Sequence, residues 1–358
     1  MNKMILVVML SIVSANTLAE FSCDESVDKL QLVYINGMFT DSSNFLFNGR
    51  ALDKLQNRML SGHIPKYAPV VGYRNRDEST VEQLTQVFLQ KLEVAGKYSW
   101  KDLFWRFIHG DGVGAFEDEP FFLLWAEVVS EYYQLGDDVD YRAMTSRLSG
   151  QLSQCARTVL VTHSQGNFYG DGLFSEKVTG YLLGEYWPLA QYPMLGQMAV
   201  ATPSYRVGGW DGDNHSELLG NVTNNTDLVM LGVRATVGAL PPTYSASFNF
   251  DDWSGHGFYD SYLAQPGQSE AIAHRITEIA LNMTPWPMHD QTAVSSSALD
   301  SFGYSEISQI LDVEFTSGSI YRYYAVPKSV VDGLHLAESK GRYFYYNIRT
   351  DFEYERLN

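Results

Sequence analysis

The stretch Thr158-Val159-Leu160-Val161-Thr162-His163-Ser164-Gln165-Gly166 decides how the rest of the chain is read. Residues 158–162 (TVLVT) form a short, continuous apolar run rich in β-branched side chains, the pattern of a strand buried on both faces. Ser164 follows two residues later, and a helical stretch opens at Gly166 and runs to about residue 183. A serine on so sharp a strand-to-helix turn stands clear of the sheet, with its hydroxyl above the strand's carboxyl end. The positions flanking such a turn must be small, so that helix and strand can pass closely. Gly166 meets that demand and Thr162 does not fully meet it.

Working outward, residues 30–35 (LQLVYI), ended by Asn36-Gly37, read as a second buried strand, and residues 194–201 as another. A weaker strand is expected near residues 70–73. Helices are expected around residues 51–60, behind the capping-box spacing of Ser79-Thr80-Val81-Glu82, and over 271–281. Short apolar strands alternating with helices predict an α/β fold, a mostly parallel sheet flanked by helices. Between Tyr98 and Tyr133 eleven of 36 residues are aromatic, split by Gly110-Asp111-Gly112-Val113-Gly114. An inserted helical cap over about residues 97–140 is the expectation there.

The chain carries 25 basic and 42 acidic residues, a net charge of -17, which repels phosphate backbones and argues against nucleic-acid partners. Residues 1–19 have a basic start at Lys3, an apolar run and a small-residue site at Ala19, so a cleaved secretory signal is expected. Secretion or a periplasmic location follows, and no later segment has the length and apolarity of a transmembrane anchor. The two cysteines, Cys23 and Cys155, form an even number suited to an oxidising compartment, and each lies shortly before a predicted strand. Asp211-Gly212-Asp213-Asn214-His215 clusters oxygen ligands but lacks calcium-loop spacing. No zinc motif, phosphate loop or dinucleotide fingerprint appears, so no metal or cofactor is expected.

The strand, Thr162–Gly166 turn and helix resemble the nucleophile elbow of the α/β-hydrolase superfamily, lipase and esterase branch. Residues 32–39 (LVYINGMF) are similar to the strand and glycine turn that supply the other half of its oxyanion hole. Asn224-Asn225-Thr226-Asp227 resembles the acid loop and Ser254-Gly255-His256-Gly257 the histidine loop, in the superfamily's chain order. The resemblance implies Ser164 as nucleophile, His256 as base, Asp227 as its orienting acid, and the backbone N–H groups of Met38 and Gln165 as oxyanion donors. His215, His274 and His289 compete for the base. Asp211, Asp213, Asp251 and Asp252 compete for the acid. His163 is expected to point away and pack. In the superfamily's usual sheet order, a Cys23–Cys155 bridge would staple neighbouring strands at their amino ends.

Thr284-Pro285-Trp286-Pro287 breaks the pattern, so the hydrolase-like domain is expected over residues 20–287 and a second unit over 291–358. Residues 310–315, Thr316-Ser317-Gly318-Ser319 and 320–326 read as a hairpin, Pro327 opens a helix, and residues 352–357 form a last strand. Residues 294–297, 310–315, 321–323, 326–327, 337–341, 347–349 and 354–357 are similar to the KTSC module, named for the lysyl-tRNA synthetase C-terminus. That implies a small α+β accessory domain with a ligand or partner of its own; Lys340, Arg342 and Arg349 are candidates for an anion. The whole chain is expected to be a serine hydrolase cleaving carboxylic esters, with a lipid or other small-molecule ester as substrate. The alternatives are a catalytically silent binding protein on the same fold and an acyltransferase using the same three residues.

Overall fold

The computed structural model describes residues 23, 25–37, 40–74, 139–175, 192–237 and 239–358. Among them five parallel strands form one sheet: β1 (Leu30–Ile35), β2 (Val71–Tyr73), β3 (Arg157–His163), β4 (Leu195–Val200) and β5 (Leu219–Val222), in the order β2-β1-β3-β4-β5. Every residue of β1, β3 and β4 is buried, as continuous apolar runs require when helices cover both faces. The register aligns Leu30 with Arg157 and Ile35 with Thr162 across β1 and β3.

Helices α1 (Ser42–Leu55), α2 (Val139–Leu152), α3 (Gly166–Phe174), α4 (Leu228–Val237) and α5 (Pro266–Leu281) accompany this sheet. The helix expected at 51–60 therefore begins at Ser42, where Asp41 caps it by accepting the Asn44 N–H at 2.8 Å. Its polar opening and Gly49 concealed the start from the apolar period. The helix expected from residue 271 opens at Pro266, a residue suited to the first helical turn. The leader at 1–19, the helix behind residue 79 and the cap at about 97–140 lie outside the described residues, apart from residues 139 and 140, which open α2.

A second, antiparallel sheet is built from β6 (Thr292–Ala293), β7 (Leu299–Ser305), β8 (Ile310–Phe315), β9 (Ile320–Tyr323) and β10 (Tyr354–Arg356), ordered β10-β9-β8-β7-β6. With α6 (Lys328–Leu336) and α7 (Lys340–Asn347) it encloses a separate core of Leu299, Phe302, Leu311, Val313, Val331 and Phe344. The molecule is thus a parallel sheet with flanking helices, joined to a small α+β unit. Among the described residues, no helix is long and apolar enough to cross a membrane.

The two units meet at the amino edge of the parallel sheet. Arg157, the first residue of β3, is fully buried. Its guanidinium donates to the carbonyls of Val27 (2.8 Å), Ala280 (2.7 Å) and Met283 (2.9 Å), and to the hydroxyls of Ser305 (3.4 Å) and Ser308. Asp28, 3.8 Å from Arg157, accepts from the Ser305 hydroxyl at 2.6 Å and the Glu306 N–H at 2.7 Å. Beside this cluster Cys23 and Cys155 form a disulfide with Cα atoms 5.6 Å apart. It lies at the amino ends of the paired strands β1 and β3.

Candidate active site

β3 ends at His163 and α3 begins at Gly166, leaving Ser164 and Gln165 to make the turn. Ser164 takes a left-handed φ of 53°. A non-glycine residue held there costs roughly 1–3 kcal/mol, a strain that clusters at functional sites. The need for small neighbours is visible in distances. A Cβ on Gly166 would lie 2.6 Å from the carbonyl oxygens of Ile35 and Asn36, and one on Gly37 would lie 2.6 Å from Ser164 Cβ. Thr162 is accommodated from the opposite side. Gly170 of α3 faces its methyl, where a Cβ would stand 2.5 Å from Thr162 Cγ2. The Thr162 hydroxyl donates to Asn167 Oδ1 at 2.6 Å, which satisfies its buried polar atom.

Above the carboxyl end of the sheet, Ser164 Oγ lies 2.9 Å from His256 Nε2. On the far side of the ring, His256 Nδ1 lies 2.9 Å from Asp227 Oδ2 and 3.1 Å from Oδ1. Acceptance by the carboxylate puts the proton on Nδ1 and leaves Nε2 facing the hydroxyl with a lone pair. Asp227 is fully buried at the amino end of α4, where it accepts the Met230 N–H at 2.9 Å and the Tyr262 hydroxyl at 2.7 Å. Helix N-termini favour such a charge. Tyr262 is itself held by the Asn224 N–H, which donates to its oxygen at 3.2 Å.

The loop that carries His256 is tied internally. Asp252 accepts from the Gly257 N–H (2.7 Å), the Ser261 hydroxyl (2.6 Å) and the Ser254 hydroxyl (2.6 Å), and Ser254 Oγ accepts the His256 N–H at 3.1 Å. Gly255 has φ +64° and packs its α-carbon against the Thr226 carbonyl, so the histidine and acid loops touch. Burial pushes the His256 pKa down, but the charge and hydrogen bond of Asp227, with the charge of Asp252, outweigh it and leave it above the ordinary 6.5. His163 is held well below that value by burial and by the neighbouring His256.

The structure therefore brings Ser164, His256 and Asp227 into one hydrogen-bonded chain. Gln165 is the N-cap of α3 directly after the serine; Met38 lies outside the described residues. The rival histidines stand elsewhere: His215 beside Phe174, His274 exposed beside Glu278, His289 near Glu314. Of the rival acids, Asp213 pairs with Arg206, Asp251 is exposed and Asp252 braces the loop. His163 packs on Phe258 (5.2 Å between centroids), as expected, but does not point away: its Nε2 lies 2.8 Å from the His256 carbonyl oxygen. Asp252, weighed in the sequence as a rival acid, braces the histidine loop instead, and Tyr262 is a further site residue that periodicity could not single out. Among the described residues, no group of three or more His, Cys, Asp or Glu could hold a metal.

The comparisons with known proteins concern the second unit. The KTSC domain profile matches residues 295–352. An uncharacterised protein of Stutzerimonas stutzeri is 54% identical over 54 residues, 15% of this chain and 76% of that protein. A lysine–tRNA ligase of a Nostoc species is 44% identical over 62 residues, 17% of this chain but 11% of that enzyme. A KTSC domain protein from Yersinia pestis, of known crystal structure, is 31% identical over 19% of this chain and 94% of its own, with a TM-score of 0.19. Through residues 295–352, at its C-terminal end, this chain belongs to the KTSC domain family.

Proposed function

We propose that this protein is a serine hydrolase that cleaves carboxylic esters through an acyl-enzyme, on a parallel sheet of the α/β-hydrolase kind. One observation carries the reading: Ser164 Oγ, His256 and Asp227 are joined by bonds of 2.9 Å at a strained strand-to-helix turn. A serine hydroxyl becomes a nucleophile when a neighbouring imidazole takes its proton. His256 Nε2 accepts the proton as Ser164 Oγ attacks the ester carbonyl, and returns it to the leaving alcohol. Water then repeats the sequence on the acyl-serine. The tetrahedral oxyanion would sit between the backbone N–H groups of Gln165 and Met38; one such donor contributes about 3 kcal/mol of transition-state stabilisation.

The sheet order β2-β1-β3-β4-β5, with the serine following β3 at the centre, supports the superfamily assignment. For an apolar acyl group the support is the surface near the histidine loop, where Phe250 and Trp253 are 75% and 55% exposed. The disulfide, together with the signal-like residues 1–19, supports export to an oxidising compartment.

A fluorophosphonate probe tests the central claim, because it labels an activated serine and ignores an ordinary one. Labelling that maps to Ser164, with nitrophenyl-ester turnover lost in Ser164→Ala, is the expected result. An unlabelled wild-type protein would end the proposal.

A further inference from the structure

We propose that His163 is a positioning residue that fixes the main chain of the catalytic histidine, so that two consecutive residues of one turn grip both ends of His256. The inference rests on the ester-hydrolase reading for its kinetics but not for its geometry. Ser164 meets the His256 side chain at Nε2, 2.9 Å away, while His163 Nε2 meets the His256 carbonyl oxygen at 2.8 Å. A carbonyl only accepts, so His163 Nε2 must carry the proton. The His163 ring is 6% exposed, lies 4.9 Å from the His256 ring, and is walled by Phe258 and Tyr262 at 5.2 and 6.2 Å.

The arrangement solves a problem of the topology. His256 sits on a loop between α4 and the helical turn Phe258–Leu263, some ninety residues from the serine, and its bracing by Asp252 is internal to that loop. Around it, the Leu228 N–H donates to the Ser254 carbonyl at 2.9 Å and Phe258 stacks on Tyr34 of β1 at 4.9 Å, which ties the loop to the acid loop and to the sheet. The bond from His163 adds a hold on the His256 main chain itself, from the buried strand at the centre of the sheet. The left-handed Ser164 lets neighbouring side chains diverge and reach the same residue from two sides. A misplacement of about 1 Å at a reacting pair can cost on the order of 100-fold in rate.

The test separates a hydrogen-bonding role from a packing role. His163→Phe and His163→Met keep apolar volume and lose the donor; His163→Gln keeps a donor. We expect kcat for a nitrophenyl ester to fall roughly 10- to 100-fold in the two donor-less variants with KM little changed, and His163→Gln to recover much of it. The low-field proton resonance of His256 Nδ1–H, observed without substrate, should shift or broaden in the donor-less variants and return in His163→Gln. Wild-type rates and an unmoved resonance in all three variants would overturn the proposal, and so would equal damage in all three, which would mark a packing residue. A wild-type protein that neither labels nor hydrolyses would refute the esterase reading instead, with the resonance series still deciding the role of His163.

Discussion

The two ends of β3, a strand of seven residues, are built to opposite rules. At the amino end, Arg157 spends its guanidinium donors on three carbonyls and two hydroxyls, and a disulfide closes the same corner. Burial pulls the Arg157 pKa down to about 10, with Asp28 opposing, so the cation survives at neutral pH. At the carboxyl end, Ser164 is strained, and its hydroxyl meets the titratable ring of His256. One end holds the molecule together and the other, on the proposed function, holds chemistry in readiness. If the division is real, substitutions should separate stability from activity according to the end they touch.

The largest effect is expected from His256→Ala. Ester turnover should fall by a factor on the order of 10⁶, while the urea midpoint stays near that of the wild type; a large loss of stability would show that both ends are structural. Asp227→Asn should lower kcat by about 10⁴-fold and also move the pH profile. In the proposed mechanism neutral imidazole is the base, so hydrolysis should rise with pH through a midpoint above 6.5 in the wild-type protein. Removing the Asp227 charge leaves burial unopposed by its main counterweight, so the midpoint should drop, as a pH–rate series would record. Stability runs the other way at this group. A raised histidine pKa stabilises the fold below about pH 6.5 and loses that contribution as pH climbs through the raised value.

At the amino end the signs reverse. Arg157→Met leaves five acceptors and Asp28 without their cation, and should cost about 3–5 kcal/mol in chemical denaturation with kcat per folded molecule unchanged. Reducing the disulfide, which spans 132 residues, should cost about 2–5 kcal/mol, again without touching the pH profile. The smallest change is expected from Tyr262→Phe, which deletes one donor to Asp227. A charge-assisted bond contributes about 1.5–3 kcal/mol, so a loss of roughly tenfold in kcat is expected by steady-state kinetics.

The same contrast decides what could be read from the sequence. β1, β3 and β4 were legible because two-faced burial writes an uninterrupted apolar run, and the elbow because glycine and serine follow it directly. The hairpin β8–β9 was legible for its turn residues. β7 was not, since Gly303 interrupts it; the reason for that glycine is tertiary, a Met288 carbonyl lying where its Cβ would be. α7 hid for a different reason, being largely polar and aromatic with only Phe344 buried. His163 could be located but not aimed, because the direction of a ring depends on a loop over ninety residues away.

Thr162 and Gly170 carry a consequence for descent. Neither position is free on its own, since a methyl added at 170 meets Thr162 Cγ2 at 2.5 Å and the Gln197 amide at 2.7 Å. A lineage that enlarges position 170 must therefore both lose the threonine methyl and turn the Gln197 amide aside; glycine at position 162 alone leaves the second crowding in place.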